Sequence, residues 1–485
     1  MLGTHTRYHA MLLRRTSDIN IRCVQLKQEN RMIDLKYIFL CLTFIPIIVF
    51  GQSSIFSKEK VLEDLTYLQS ELIEKHPNIN TYTTKDEFFN FFENIKIEDS
   101  LTEIEAYNLI SNSNKVIKDG HTLFYPNKKL MEYNNSNKLF IPLQPFWDGS
   151  NLYVSKSYSL MDKLEKGAQI ISINGIKSAE LIQGMLNKMM RDGNNYNYPT
   201  WVLNTYFYEY FSYFYGCGEE YQINLNNGIE EKALIIKGIS KPELFEQIRK
   251  HKEPDEKGIT LEIDNKKNIG ILTIKDWHNS VLKKYYGQKF NPEIKKAIEQ
   301  IECENIQNLV IDVRNNQGGD TKNSKYLLSY LLSEPFVLVE QYHKKKKGTI
   351  VHCNGPQSGI HQPMSKNFKG NVYVLINGGS FSNTGIFCSA LRKHKRAIFI
   401  GEETGGSEFV ICGNPKNIIL PNTGIQVEIP RLQFMIKATK DDEFHGVAPD
   451  YYIKPKVEYI IEQKDKDLEF TFELIKNSTQ HECGQ

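Results

Sequence analysis

The stretch NVYVLINGGSFSNTGIF, residues 371–387, decides how the chain is interpreted. An apolar run ends at two glycines, and a segment with helical spacing begins directly after Ser380 and Ser382. A serine at a strand-to-helix junction exposes its hydroxyl above the positive end of the helix dipole, and both features favour a developing negative charge. A serine that only caps the helix would look the same in sequence, and neither serine has the full G-x-S-x-G pattern. The stretch therefore predicts a strand–turn–helix unit in which a serine is either a nucleophile or a cap.

Strands and helices alternate along residues 260–460. Short apolar runs such as NIGILTIKDW, IQNLVIDVRN and RAIFIG are typical of strands, whereas PEIKKAIEQIE and KYLLSYLLS have helical spacing. This alternation predicts an α/β layer with a largely parallel sheet. Open α/β sheets place ligand sites at the carboxyl ends of their strands, and the loop DVRNNQGGD (312–320) follows a strand at such a position. Its paired glycines could aim backbone N–H groups at a substrate oxygen.

Helical spacing dominates the region up to about residue 130. It predicts a helix over 57–74 ended by the HPN sequence, a second helix over 85–95, and a third that opens at Thr102 with the spacing of a capping box. After these helices, His121 lies in the glycine turn DGHT. A histidine titrates near neutrality and can serve as a general base, which predicts an activity that rises through the neutral pH range. A structural hydrogen bond is the other interpretation of a single histidine.

Strand-like runs such as FIPLQPFW, NLYVSKSY and KALIIKG recur between about residues 140 and 240. Among them lies YPTWVLNTYFYEYFSYFYG (198–216), which is predicted to be helical and carries ten aromatic residues. Such a segment can form the wall of a ligand site, although it more often packs a core.

Composition narrows the range of partners. The 485 residues include 60 basic and 58 acidic side chains, a net charge of +2. This balance gives no reason to expect a nucleic acid or an anionic surface, since both need a clustered basic face. The lysine run YHKKKKG (342–348) suits a solvated loop or hairpin tip. The eight cysteines form no CxxC pair and no metal-ligand spacing with histidine, so we predict no metal and no cofactor, and expect most cysteines to be small buried apolar residues.

Residues 1–51 are predicted to be an N-terminal extension that includes a signal peptide. The segment MIDLKYIFLCLTFIPIIVFGQ (32–52) contains an apolar run behind Lys36 that is shorter than the ~20 residues of a membrane span. Its length and flanks suit a secretory signal with cleavage before Gln52, which predicts an exported protein that is periplasmic, extracellular or held in the cell envelope. An uncleaved N-terminal anchor is the alternative, and we expect no stable membrane insertion beyond this segment.

Five motifs occur in one order along the chain: DGHT, LVIDVRNNQGGD, VYVLINGGSFSNTG, IFIGEETGG and HGVAPD. Together they resemble the tail-specific (C-terminal processing) serine peptidases, and more closely their tricorn-core branch, over about residues 57–460. The resemblance implies an α/β fold, with a crotonase-like protease core, an N-terminal helical domain and a PDZ-like β-rich module that LEKGAQIISINGI (164–176) resembles. The implied order of domains is the extension and signal peptide at 1–51, the helical domain at 52–130, the PDZ-like module with its aromatic helical insertion at 140–240, the α/β peptidase core at 255–460 and a C-terminal tail at 461–485.

The resemblance also implies a catalytic triad. By position, Ser382 is the nucleophile, His121 is the general base and Glu443 is the carboxylate that orients the histidine. Lysine-type members of the family place their base in a turn that reads TGGSE here, where Ser407 replaces the lysine. A Ser–Lys mechanism is therefore not available to this chain. The tricorn-type branch can also place a serine before the histidine, where this chain has Gly120.

The oxyanion hole implied by the resemblance consists of two backbone N–H groups. One belongs to Gly318 or Gly319 and the other to Asn383. Ser380 is expected to shape the turn. This combination is chemically coherent, because a serine hydroxyl needs a base within hydrogen-bond reach and the base needs an orienting carboxylate.

These residues predict a serine endopeptidase that cleaves peptides or unfolded protein tails through an acyl-enzyme. One alternative is a catalytically silent relative that binds a peptide or an apolar ligand through its aromatic segment. Another is a crotonase-like hydrolase that acts on a small acyl substrate. The sequence does not specify the cleaved bonds, recognition of a C-terminal carboxylate or the oligomeric state.

Overall fold

The computed structural model describes residues 54–161, 164–251, 257–436 and 445–482. The predicted signal segment and Glu443 lie outside these described residues. Within them, none of the helices combines the length and the apolar character needed to cross a bilayer.

The secondary structure is labelled in chain order. The helices are α1 (Lys58–Lys75), α2 (Lys85–Glu93), α3 (Glu103–Ser111), α4 (Asn114–Ile117), α5 (Lys128–Asn137), α6 (Ser178–Leu186), α7 (Asn197–Tyr215), α8 (Lys241–Lys250), α9 (Asn279–Tyr286), α10 (Phe290–Cys303), α11 (Thr321–Leu331), α12 (Asn383–Lys393), α13 (Val457–Glu462) and α14 (Lys466–Glu482). The strands are β1 (Ile55–Ser57), β2 (Ser100–Thr102), β3 (Leu123–Tyr125), β4 (Leu139–Phe140), β5 (Leu143–Trp147), β6 (Leu152–Ser157), β7 (Gln169–Ile173), β8 (Ile176–Lys177), β9 (Glu220–Asn226), β10 (Glu231–Lys237), β11 (Ile239–Ser240), β12 (Ile259–Asp264), β13 (Ile269–Ile274), β14 (Asn308–Asp312), β15 (Phe336–Val337), β16 (Gln341–Lys346), β17 (Thr349–Cys353), β18 (Ile360–His361), β19 (Asn371–Ile376), β20 (Ile398–Gly401), β21 (Val410–Gly413), β22 (Lys416–Ile419), β23 (Gln426–Ile429), β24 (Leu432–Met435) and β25 (Tyr451–Tyr452).

The first three helices begin and end where local chemistry requires. Helix α1 stops at His76, whose extended backbone precedes Pro77 and avoids the α region. Helices α2 and α3 open with complete capping boxes at Thr84 and Thr102, each satisfying backbone N–H groups that a helix start leaves free. The three helices predicted from sequence are therefore confirmed, with ends within one or two residues of those expected.

An antiparallel sheet, in the order β10-β9-β7-β6-β5, occupies the region after α5. Helix α7 lies against β5, where the Asn204 side chain accepts a hydrogen bond from the backbone of Trp147 at 2.8 Å. Most aromatic side chains of α7 are buried and join one apolar cluster with side chains of α1, α3 and β7, including Leu65, Ile110 and Ile173. The aromatic segment therefore mainly packs the core, which is the more common role of such a composition.

The second sheet has the order β12-β13-β14-β19-β20-β25. Only the β12–β13 pair is antiparallel, so the predicted, largely parallel sheet is confirmed. Alternate residues of β14 face opposite sides: Ile311 packs in the cluster that includes α10, α11 and α12, and Val310 packs with Ile475 of α14. Burial on both faces explains why these strands are near-continuous apolar runs.

The parallel sheet brings two polar loops together at the carboxyl ends of β14 and β19. The Asn315 backbone N–H donates to the Asn377 side chain at 2.9 Å, and the Phe381 N–H donates to the Asn316 carbonyl at 3.1 Å. The segment that carries His121 reaches the same place because β3, directly after it, pairs with β23. This assembly positions the site described below.

Two smaller expectations have different outcomes. The lysine run 342–348 forms the end of the β16–β17 hairpin, with its tip at Lys347 and Gly348, which confirms the hairpin prediction. The expectation that most cysteines are buried is wrong for the five in the described residues, since only Cys388 and Cys412 are buried. All five are free thiols.

Candidate active site

Ser382 lies at the junction between β19 and α12 in an unusual backbone conformation. Its φ and ψ are 55° and −122°, a region that costs a non-glycine residue on the order of 1–3 kcal/mol and persists only where the surroundings hold it. Its side chain makes no capping hydrogen bond to the helix. The helix-cap interpretation of Ser382 is therefore wrong, and the hydroxyl is directed to another partner.

Ser380 has the structural role that the sequence favoured. Its fully buried hydroxyl donates to the Val313 carbonyl at 2.9 Å and accepts from the Asn377 N–H at 3.1 Å. These bonds fasten the turn before α12 to the end of β14. Ser380 therefore shapes the turn that presents Ser382.

His121 lies beside Ser382, although 261 residues separate them in sequence. The distance from His121 Nε2 to Ser382 Oγ is 3.1 Å, which is within reach for a general base and its nucleophile. The turn that holds His121 begins after α4 at Lys118, whose φ of 49° ends the helix. The His121 N–H then donates to Asp119 Oδ1 at 2.9 Å, which fixes the backbone of the turn.

Burial lowers the pKa of His121 to about 4, and the negative charge of Asp119 opposes that shift. The ring is therefore neutral at pH 7 and can accept a proton. Its other nitrogen, Nδ1, is buried and has no hydrogen-bond partner among the residues that the structure describes. A base of this kind needs a group on Nδ1 to fix its tautomer.

An aromatic stack supports the His121 ring from behind. Phe381 stacks on His121 with ring centroids 4.9 Å apart, and Tyr198 stacks on Phe381 with ring centroids 3.8 Å apart. The Tyr198 hydroxyl donates to Gln317 Oε1 at 3.2 Å, in the loop after β14. The start of the aromatic helix thus contacts the site through its packing, in addition to filling the core.

Two buried carboxylates hold the His121 turn, and sequence analysis identified neither. Asp192 accepts the Gly120 N–H at 2.8 Å and the Ser407 N–H at 3.1 Å, which ties two loops of the site together. Burial raises the pKa of Asp192 to about 8, and repulsion from Asp119 adds to the shift. For Asp119, burial acts to raise the pKa, but the hydrogen bond and charge of His76 outweigh it and lower that pKa well below its usual range.

His76, Asp119 and Cys412 bring potential metal-ligand atoms within 4.8 Å of one another. The donor set does not fit a metal, because the Asn78 N–H donates to His76 Nδ1 at 3.3 Å. That bond places the proton of the neutral ring on Nε2, which faces Asp119 Oδ2 at 3.5 Å. The three side chains form a buried polar cluster next to the His121 turn.

The loop after β14 approaches Ser382 through its two glycines. The Gly318 N–H donates to the Asn316 side chain at 3.0 Å, so it is already engaged. The N–H groups of Gly319 and Asn383 have no acceptor in the described ranges. Gly318 still has a role, since a side chain there would place its Cβ 2.7 Å from that of Ser382.

Ser407, which the sequence resemblance placed where related enzymes have a lysine, stabilises a turn. Its hydroxyl accepts the N–H groups of Phe409 at 3.1 Å and Val410 at 3.3 Å. A β-bridge pairs Ser407 with Gly446, so the segment that follows Glu443 in sequence runs along this turn. Glu403 accepts the Gly446 N–H and is a structural residue of the same contact.

A cleft of about 70 Å³ exposes the Ser382–His121 pair and contains a second histidine that sequence analysis missed. His278 lines this cleft beside Gly319, and its Nδ1 lies 2.9 Å from Asp276 Oδ1. It makes no hydrogen bond to Ser382 in the described structure. Of the two histidines, the geometry selects His121 as the partner of Ser382.

Comparisons with known proteins relate part of the chain to a peptidase family. Residues 268–453 match the family described as Peptidase family S41. The chain is 23% identical over 165 residues to Carboxyl-terminal-processing peptidase 3, chloroplastic, of Arabidopsis thaliana, covering 34% of this chain and 29% of that protein. It is 25% identical over 164 residues to Tail-specific protease of Haemophilus influenzae, covering 33% of this chain and 21% of that protein. The chain therefore carries a serine-type peptidase domain and spans less than a third of the length of these curated relatives.

The crystal structure of mature CPAF has the same overall fold. It superimposes with a TM-score of 0.60 at 15% identity and covers 86% of this chain and 98% of that chain. The residues that match the family, 268–453, do not include His121. This histidine is brought to Ser382 by the folding of the chain.

Gly120→Ala should impair the site without unfolding the protein. A Cβ at Gly120 would lie 2.7 Å from Phe381 Cζ and 2.8 Å from Asp192 Oδ1, so the stacked ring must move and His121 with it. A displacement on the order of 1 Å can cost a factor of about 10² in rate. We expect the rate of Ser382 labelling by a fluorophosphonate to fall by about that factor, while a loss of stability of about 1–3 kcal/mol leaves the protein folded. Gly270→Ala, whose Cβ would meet only ordinary contacts from 3.5 Å outward, is the matched control.

Fluorophosphonate labelling also distinguishes the roles of the two histidines in the cleft. His121→Ala should abolish labelling of Ser382, because no other base lies within hydrogen-bond reach of its hydroxyl in the described residues. His278→Ala should retain labelling. Mass spectrometry of the adduct checks both variants, and loss of labelling in His278→Ala alone would make His278 the base.

Proposed function

We propose that the protein is a serine endopeptidase that cleaves peptides or unfolded protein tails through an acyl-enzyme. The observation that carries this proposal is the 3.1 Å contact between His121 Nε2 and Ser382 Oγ. It occurs at a strained strand-to-helix turn in a peptidase domain of family S41. The lysine position of the related enzymes is occupied by Ser407 in a structural role, which also favours a histidine base.

In this mechanism His121 takes the proton of Ser382 as Oγ attacks the scissile carbonyl carbon. The carbonyl oxygen becomes an oxyanion that accepts hydrogen bonds from the N–H groups of Gly319 and Asn383. Each of these bonds lowers the activation free energy by about 3 kcal/mol. His121 then returns the proton to the leaving amine as the C–N bond breaks, which leaves an acyl group on Ser382. A water molecule, activated by the same histidine, hydrolyses the ester and restores the serine.

Glu443 is proposed as the group that orients His121. Nδ1 is buried and has no partner among the described residues, which supports a carboxylate at this position. Gly446, which is bridged to Ser407, lies three positions after Glu443, and this stretch of chain can span at most about 10 Å. The N–H groups of Ser407 and Gly120 both donate to the Asp192 carboxylate, so Ser407 lies close to the His121 turn. The distance that Glu443 must cover to reach His121 is therefore short.

The remaining parts of the proposal concern the architecture and the compartment. The fold is proposed to combine a crotonase-like core with an N-terminal helical domain and a PDZ-like module, supported by the parallel sheet, by α1 to α5 and by the antiparallel sheet. Export is proposed from the N-terminal apolar segment of the sequence.

The activity is tested by comparing the hydrolysis of casein with the hydrolysis of an acyl thioester. We expect the full chain to release peptides from casein and Ser382→Ala to release none, with both proteins equally folded by circular dichroism. Cleavage of the thioester alone would identify an enzyme for small acyl substrates. A folded protein that cleaves neither and is not labelled at Ser382 would be a binding protein.

The pH dependence tests the role of Glu443. Activity requires neutral His121, so kcat/KM must rise with pH through the pKa of this residue and then level off. The described surroundings alone lower that pKa to about 4. A carboxylate on Nδ1 would raise it, since a negative charge favours the protonated ring. We therefore expect the acid limb of the wild type to lie above pH 4 and to move down in Glu443→Gln.

Glu443→Gln should also lower kcat by a factor on the order of 10³–10⁴, as loss of the orienting carboxylate does in serine proteases. Identical acid limbs and similar kcat values in the two proteins would remove Glu443 from the triad. Ser382→Ala provides the background rate for both profiles.

A further inference from the structure

A basic groove of about 830 Å³ opens next to the active-site cleft. Its walls are α9, the start of α10, α11 and the segment that contains β18. Four lysines line it: Lys283, Lys289, Lys322 and Lys325. Apolar side chains contribute to the same groove, among them Phe336, Ile360 and Met364. Ile360 is 71% exposed, so this part of the groove offers unused apolar surface.

The lining of the groove contains four lysines and no aspartate or glutamate. None of these lysines forms an ion pair within the described ranges. Asp320, the carboxylate nearest to Lys322 in sequence, accepts the Asn279 N–H at 3.1 Å. Because the whole chain has nearly equal numbers of basic and acidic residues, this cluster is a local feature and does not follow from overall composition.

The groove and the cleft border each other at two stretches of backbone. His278 and Thr321 line the cleft, and the next residue in each case, Asn279 and Lys322, lines the groove. A polypeptide whose scissile bond lies at Ser382 therefore has the groove beside it, past His278 and Thr321. Its acidic side chains would meet the lysines, and its apolar side chains would meet the exposed apolar surface.

We propose that this groove binds an acidic segment of the polypeptide substrate and so makes the enzyme prefer substrates with aspartate or glutamate near the cleaved bond. The proposal rests on the proposed peptidase function. Lysines are flexible point charges that pair with carboxylates in several positions, which suits a variable acidic segment. The concave shape, the apolar surface and the position beside the Ser382 cleft favour a peptide over a nucleic acid or a lipid surface.

Matched peptides and matched variants test the proposal. The fluorogenic peptides share one sequence that the enzyme cleaves in casein and differ in a flanking segment of glutamates, glutamines or lysines. The test variant replaces Lys283, Lys289, Lys322 and Lys325 with glutamine. The control variant makes the same charge change at exposed lysines that do not line the groove, namely Lys296, Lys344, Lys346 and Lys347. Fluorophosphonate labelling of Ser382 is measured on every protein.

The wild type should cleave the glutamate peptide with a kcat/KM about tenfold above that of the glutamine peptide, and the advantage should shrink as the salt concentration rises. The groove variant should lose this advantage through KM, with kcat and Ser382 labelling unchanged. The control variant should keep it.

Equal cleavage of the glutamate and glutamine peptides by a labelled, active wild type would overturn the groove proposal alone. Loss of oligothymidylate or phosphatidylserine-vesicle binding in the groove variant, with unchanged peptide kinetics, would overturn it in favour of that ligand. Absence of both labelling and cleavage in the wild type would overturn the peptidase function and the groove proposal together.

Discussion

The backbone segments around Ser382 approach one another so closely that side chains are excluded between them. A Cβ at Gly318 would lie 2.7 Å from that of Ser382, and a Cβ at Gly405 would lie 2.2 Å from the Gly378 carbonyl oxygen. This packing holds Ser382 in its strained conformation, since the turn cannot relax without moving its neighbours. The 3.1 Å contact with His121 depends on that constraint, because the base arrives on a separate part of the chain.

The site is assembled from regions that are distant in sequence and contact one another through shared strands and shared core side chains. The His121 turn is held by β3 pairing with β23, by Asp192 and by the aromatic stack through Phe381. Phe381 belongs to the apolar cluster of the N-terminal half, although it lies between the two serines of the turn. Folding of the N-terminal half and formation of the candidate active site are therefore physically linked.

Local chemistry was predictable from the sequence, and non-local contacts were not. The capping box at Thr102 and the alternation of strands and helices followed from neighbouring residues, and the structural role of Ser380 followed from the family resemblance. Asp192 and the His278–Asp276 pair act through contacts distant in sequence or through the shape of the cleft, and no short motif marks them. The expected neutral-range pKa of His121 was also too high for the described surroundings, because sequence does not report how deeply a ring is buried.

The central claim is that Ser382 forms a covalent acyl intermediate with His121 as its base. The most direct measurement is rapid acid quenching of the protein after it is mixed with an activated ester, followed by mass spectrometry of the modified peptide. The account predicts one acyl group on Ser382, formed before steady-state turnover and absent from His121→Ala. An acyl group on another residue, or none on a folded protein that still hydrolyses the ester, would contradict it.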